Sequence, residues 1–270
     1  MKKTLAVVAA LLLATGGILA WWKLRPATRV VIDPPRADLR PGDPFPHDLW
    51  TAFLSASARD GRVRYAAVKA DPSALNAYLG YVARYSPESH PDLFPTREDR
   101  LAYALNAYNA CVVKGVIDHY PVDSVRAIGT VPFDFFTKIE YPFGGRPSSL
   151  EDWETSIRKT WDEPRIHFAL NCASLGCPRL PSEAFLPATL EAQLARETAA
   201  FLGDERNVSV SGGKLRLSSI FKWYRADFEG WMESRGKPKG LAAWIRAAGR
   251  DVPDLPVEFA DYDWGLNDLK

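Results

Sequence analysis

Apolar positions fall at helical spacing in some stretches of this chain and alternate in others. The clearest helical run is Leu101, Leu105, Tyr108, Val112 and Val116, one face of a helix. Thr96 stands before it as an N-cap with Asp99 three residues on, a variant of the capping box, and Tyr120-Pro121 ends it. At about 100° per residue, Arg100, Lys114 and Asp118 take the opposite face. Asn106 and Asn109 do not. They fall at one edge of the apolar arc, between Val113 and Ile117, where amides need partners. They either hold a neighbouring loop through its backbone or line a pocket as donors and acceptors. Cys111 falls near the other edge and reads as a small packing residue.

Further helices follow from the same period. One runs over Phe45–Ser57 with Leu49, Phe53 and Leu54 on one side. Another begins at Asp71-Pro72 and carries Leu75, Tyr78, Leu79 and Val82. Ser149 caps a third from Leu150 to about Trp161, with Asp152 in the reciprocal position. Thr189 to Leu202 is helical and stops at Gly203, Ser218 or Ser219 caps a short helix through Tyr224, and Leu241 to Ala248 forms the last. Alternation predicts short strands at Arg62 to Tyr65, Lys138 to Tyr141 before Gly144-Gly145, and Val257 to Phe259. Val208, Val210, Leu215 and Leu217 flank Gly212-Gly213 as a hairpin. The irregular order excludes a regular βαβ repeat. It predicts an α+β fold, several helices packed around a small, mainly antiparallel sheet.

The N-terminal pattern differs. Thr4 to Trp22 is almost wholly apolar after Lys2 and Lys3, so residues 1–22 read as a signal anchor or a cleaved signal peptide. Residues 23–44 hold Pro26, Pro34, Pro35, Pro41 and Pro44 and read as an extended stalk. Residues 45–270 then form a single globular domain. The expected place is the cell membrane with the domain outside the cytoplasm (periplasm), or the periplasm itself after cleavage.

Composition narrows the function classes. Hydrophobic residues make up 47% and charged residues 25% of 270, and net charge is +1. A sizeable core is expected, and no basic stripe argues for nucleic acid. No phosphate-binding Gly-rich loop, Gly-x-Ser-x-Gly or His-Glu-x-x-His is present. No cofactor is expected, and no metal site, because no second cysteine–histidine pair has suitable spacing. The expected partner is a small molecule, peptide or protein, with the membrane engaged through the N-terminal segment. Glu154 reads by default as a surface carboxylate, and His47, His90 and His119 as surface or loop histidines.

The chemistry concentrates in Arg165 to Pro178, which holds His167 and two of three cysteines. Taken as a strand, Arg165, His167, Ala169 and Asn171 share a polar face, and Ile166, Phe168, Leu170 and Cys172 an apolar one. His167 and Cys172 would then lie on opposite faces, roughly 16 Å apart along extended chain, unless it bends near Asn171. For Cys172 and Cys177, a loop-closing disulfide, a reactive pair and two inert thiols all stay open.

Three pieces together resemble a known family. Leu105-Asn106-Ala107-Tyr108-Asn109-Ala110, Arg165 to Cys172 with Cys177-Pro178, and Tyr262-Asp263-Trp264 with Leu266-Asn267 look like the domain-of-unknown-function family numbered five hundred and forty-seven. Ser149 to Glu154 and Ser218 to Phe228 are similar too, so the resemblance spans roughly residues 45–270. The family is found in bacterial envelope proteins and in plants. It commonly has Glu-His where this chain has Glu154-Thr155. A polar helix followed by a histidine-bearing strand also resembles, in layout alone, papain and transglutaminases.

Two functions are expected. One is a cysteine-dependent hydrolase or acyl transferase: Cys172 as nucleophile, His167 as base or polarising group, and Asn106 or Asn109 as orienting or oxyanion donor. Tyr108, Arg165, Asn171 and Glu154 would bind the substrate. The other is a non-catalytic binding or scaffolding module with a Cys172–Cys177 disulfide.

Overall fold

The computed structural model describes residues 25–270. The expected signal anchor or signal peptide at residues 1–22 lies outside them. Among the described residues no helix is long and apolar enough to cross a membrane.

The organising element is α4 (Arg97–His119). Thr96 Oγ1 accepts from the Asp99 N–H at 3.0 Å, and Asp99 Oδ2 accepts from the Thr96 N–H at 3.0 Å, so the capping box is complete. Apolar residues on the expected face are buried, but so are Ala102, Tyr103, Ala107 and Ala110. This helix is surrounded by other elements over most of its length. On one side lie α1 (His47–Ser57), α2 (Tyr65–Ala70) and α3 (Ser73–Arg84). On another lies α6 (Leu150–Thr160). Trp153 of α6 donates its Nε1–H to Ala104 O at 3.1 Å and stacks on Phe143 at 3.9 Å.

The strands form small sheets, as an α+β fold requires. β2 (Ala58–Arg59) pairs antiparallel with β3 (Arg62–Val63). β4 (Ile139–Phe143) and β5 (Arg146–Ser149) form the hairpin expected around Gly144-Gly145. Both glycines have positive φ, 56° and 83°, as a tight two-residue turn needs. β6 (Val208–Ser211) and β7 (Lys214–Leu217) form the second hairpin, and β8 (Val257–Phe259) adds parallel to β7. The short helical turn α5 (Asp134–Thr137) precedes β4. The remaining helices are α7 (Leu190–Gly203), α8 (Ser219–Trp223), α9 (Arg225–Glu233) and α10 (Leu241–Ala247).

Two apolar cores result. The larger surrounds α4, and the smaller gathers Phe168, Phe201, Phe221, Phe228 and Trp244 beneath the β6–β7–β8 sheet. Phe168 reaches into the second core while its neighbours Ile166 and Ala169 belong to the first. The segment between Pro164 and Pro178 therefore runs along the seam.

Two expectations need correction. Residues 25–44 are not a free stalk. Arg25 grips buried Asp134 at 2.8 and 2.6 Å, and β1 (Thr28–Arg29) lies parallel to β4. Farther on, the backbone of Asp33 and Pro35 passes so close to Gly80 that a Cβ there would sit 3.0 Å from Asp33 O. Proline does keep this segment extended, but it straps onto the body instead of standing away from it. The second correction concerns Arg165 to Cys172. It is a 3₁₀ turn, Pro164–Phe168, with Ala169 still helical at φ −104° and ψ −21°. Glu163 caps it by accepting from the Arg165 N–H at 3.2 Å. The strand argument that put His167 and Cys172 on opposite faces does not apply.

Candidate functional site

Asn109 is the first link between helix and loop. From the buried side of α4 it donates to Ala169 O at 2.9 Å and accepts from the Asn171 N–H at 2.9 Å. Asn171 continues the chain of amides: its Nδ2 donates to Pro178 O at 2.7 Å, and its Oδ1 accepts from the Ala173 N–H at 2.8 Å. One side chain thus holds both ends of the Cys172 to Cys177 loop. The C-terminal segment holds its middle, with Leu175 N donating to Gly265 O at 2.8 Å and Gly176 N to Asp263 O at 2.8 Å. Gly176 suits this close approach, because a Cβ would meet the Asp263 backbone at a tight 3.0 Å. Within this frame Ala173 adopts a left-handed φ of 60°, and Cys172 and Cys177 are joined as a disulfide.

The disulfide lines a cleft of about 410 Å³. Tyr262 Oη lies 3.0 Å from each sulfur, and Ser174 Oγ 3.3 Å from each. Both hydroxyls can donate to sulfur.

His167 lines the same cleft. Its Nε2 lies 2.8 Å from Asp227 Oδ2, and Arg158 holds that carboxylate through Nε at 2.7 Å and Nη2 at 3.1 Å. The imidazole stacks on Tyr224 at 3.9 Å, and the Arg158 guanidinium lies 4.8 Å from the same ring. Burial pushes the His167 pKa down, against the opposing pull of Asp227. Burial would raise Asp227, but hydrogen bonds from His167 and Arg158 outweigh it and hold the carboxyl well below its usual range. The arrangement is a carboxylate facing a neutral imidazole whose proton sits on Nε2. Nδ1 is then an acceptor and makes no hydrogen bond to any described residue.

A third unit sits beside these. Glu154 accepts from Tyr224 Oη at 2.5 Å and from Tyr108 Oη at 3.4 Å. Glu151, Glu154, Thr155 and Arg158 all line the cleft, at the spacing of one helix face of α6. Burial, followed by the charges of Asp152 and Glu154, raises the Glu151 pKa. Much of the remaining wall is aromatic, with Phe133, Phe136, Trp223, Tyr262 and Trp264, beside Thr137, Leu170, Pro178 and Ile220.

The structure therefore brings together Cys172, Cys177, His167, Tyr108 and Glu154 from the sequence-derived set. Asn109 and Asn171 stand behind the loop as its supports. Asn106 is elsewhere: it forms a two-way bond with the Phe185 backbone, at 2.7 and 2.9 Å, and donates to His47 Nδ1 at 3.0 Å. Arg165 also turns away, held by Glu163 at 2.7 Å and Glu191 at 2.7 Å. His47 is buried, not a surface histidine, and sits between Asn106 and the Tyr78 hydroxyl, 3.2 Å away. Asp227, Arg158, Tyr224 and Trp223 were not picked out from the sequence. The polar stripe of α6 offered a signal for Arg158; nothing in spacing offered one for Asp227, which lies 60 residues from His167. Among the described residues no group of histidine, cysteine and carboxylate side chains is placed to hold a metal ion.

The family described as protein of unknown function, DUF547, matches residues 93–202 and supports the resemblance that the motifs carry. That stretch holds α4, Glu154, His167 and both cysteines, while Trp223, Asp227 and Tyr262 lie beyond it. No curated protein and no solved structure matches the chain.

Proposed function

We propose that this chain is an envelope domain, tethered outside the cytoplasm by its N-terminal segment, whose cleft is a cysteine-dependent hydrolase or acyl transferase. The observation that carries this reading is the His167–Asp227–Arg158 unit in the wall of the cleft that Cys172 lines. Asp227 orients the imidazole and leaves Nδ1 as the base, the logic of a nucleophile, a base and an orienting acid.

The disulfide must open first. A dithiol reductant gives two electrons and two protons to the cystine, is itself oxidised to a disulfide, and leaves thiols at Cys172 and Cys177. His167 Nδ1 then takes the Cys172 proton, and Asp227 stabilises the imidazolium. The thiolate adds to an acyl carbonyl, and the Tyr262 hydroxyl, already beside the sulfur, donates to the developing oxyanion. Collapse expels the leaving group, which takes the proton from His167, and water or another acceptor resolves the thioester. Asn109 and Asn171 are positioning residues in this scheme.

A second reading has its own support in the closed disulfide: with both sulfurs bonded, the cleft is a binding module with no nucleophile. Thiol titration of native protein with and without mild reductant decides between them. Release of a Cys172 thiol that alkylates readily near neutral pH supports the enzyme. A disulfide that resists mild reductant in the folded protein supports the module.

A further inference from the structure

We infer that the cleft takes a ligand carrying an organic ammonium group, with Glu154 as its counter-ion and the rim aromatics as its walls. This rests on reading the cleft as a ligand site and needs no thiol chemistry.

Charge in the cleft does not balance. Arg158 is committed to Asp227 through two hydrogen bonds. His167 is neutral while its pKa stays depressed by burial. That leaves Glu151 and Glu154 with no ion pair among the described residues. Glu154 is fixed in place by two tyrosine hydroxyls, which occupy two acceptor positions and bring no charge.

The aromatic wall is exposed where a folded core would hide it. Trp223 is 45% exposed and Phe133 40%. Phe133 also has a positive φ of 74°, costly for a phenylalanine, and the bonds from the Thr130 and Val131 N–H groups to Asp134 hold that turn. Trp264 joins the two, with ring centroids 5.1 Å from Phe133 and 5.8 Å from Trp223. These rings accept a cation within the molecule already: Arg126, which does not line the cleft, lies 5.5 Å from Phe133 and 5.7 Å from Trp264. Ring faces beside an unpaired carboxylate select an ammonium over a neutral group of the same shape.

The test is isothermal titration calorimetry of the full chain with choline and with its neutral isostere, 3,3-dimethyl-1-butanol. Choline should bind, and the alcohol at least about tenfold more weakly. Glu154→Gln, which keeps an acceptor for the closer Tyr224 hydroxyl and gives up only the longer Tyr108 contact, and Trp223→Ala, at an exposed position, should each weaken choline by about tenfold. Absence of choline binding, equal binding of the alcohol, or unchanged binding in both variants overturns the inference. The disulfide stays closed throughout, so the result is independent of whether Cys172 proves to be a nucleophile.

Discussion

His167 Nε2 and Asp227 Oδ2 lie 2.8 Å apart, and the same oxygen accepts Arg158 Nε at 2.7 Å. The imidazole is thereby fixed from behind by an ionised acid. Asp227→Asn keeps the volume but removes the charge from both contacts. It should cost about 2 kcal/mol of stability in chemical denaturation, the scale of a charge-assisted hydrogen bond. After reduction, it should also slow alkylation of Cys172 by iodoacetamide near neutral pH. Lost stability with an unchanged alkylation rate would make the unit structural and remove His167 as the base.

Asn109 has no role in the cleft wall, yet both of its polar ends are used by the loop that carries Cys172. Asn109→Ala leaves a buried carbonyl at Ala169 and a buried N–H at Asn171 unsatisfied. The expected loss is about 2 to 4 kcal/mol in urea or guanidinium denaturation. Reduction of the disulfide in the folded state should become faster as well. An Asn106→Ala variant should lose comparable stability without that second effect, because Asn106 holds the Phe185 segment.

These amides also mark how far the sequence can be read. The arc of α4, its capping box and the two Gly-Gly hairpins are local, set by spacing and backbone preference, and they are legible. So is the misfit of two asparagines on an apolar edge. The Arg165 to Cys172 segment misled because Ile166, Phe168 and Leu170 alternate with polar residues, as in a half-buried strand. Here the chain lies along a seam between two cores, so a 3₁₀ turn can bury both sides. The proline-rich segment misled for a related reason: proline sets extension, and extension suits a strap as well as a stalk. Asp227 was illegible because its meaning comes only from a histidine that folding brings to it.

The Cys172–Cys177 loop is short, so its crosslink restrains the unfolded chain little. Loop-closure entropy for a ring of this size is worth about 2 kcal/mol. The Asn171 side chain and the Asp263 to Gly265 backbone hold the same loop independently. A Cys172→Ser/Cys177→Ser double variant should therefore fold, with a drop of about 2 kcal/mol or less. Global unfolding of this variant at ordinary temperature would show that the disulfide, not the amide frame, maintains the cleft.

The strap gives a prediction by truncation. Arg25 holds the Asp134 carboxyl down at about 2, from an ordinary value of 3.8, the Arg25 hydrogen bond being the largest influence. A chain beginning at Phe45 loses this bond, the β1–β4 pairing and the packing of Val30, Ile32 and Leu39. It should melt at a lower temperature than a chain beginning at Arg25. Arg25→Ala should reproduce part of the loss. Equal melting temperatures for the two lengths would mean that the segment is a tether after all.

His47 supplies the pH dependence. Burial pushes its pKa from 6.5 down to about 3. Asn106 Nδ2 donates to its Nδ1 at 3.0 Å, so that nitrogen has no proton in the folded state. Between these two pKa values the unfolded chain binds a proton that the folded chain does not, so stability rises with pH. The His47 contribution is fully present above about 6.5 and is lost progressively as pH falls toward 3. The slope per group approaches about 1.4 kcal/mol per pH unit within that window. Chemical denaturation at intervals across the range should show this slope, and His47→Gln should flatten it even if the variant is less stable at neutral pH. Asp134 adds to the fall only below its ordinary 3.8, so it does not imitate the effect near pH 5. His167, also depressed by burial, does act in the same direction. The double variant with His167→Gln therefore separates the two histidines: a slope unchanged by His47→Gln and abolished only in the double variant would assign the pH dependence to the cleft instead of the buried Asn106 contact.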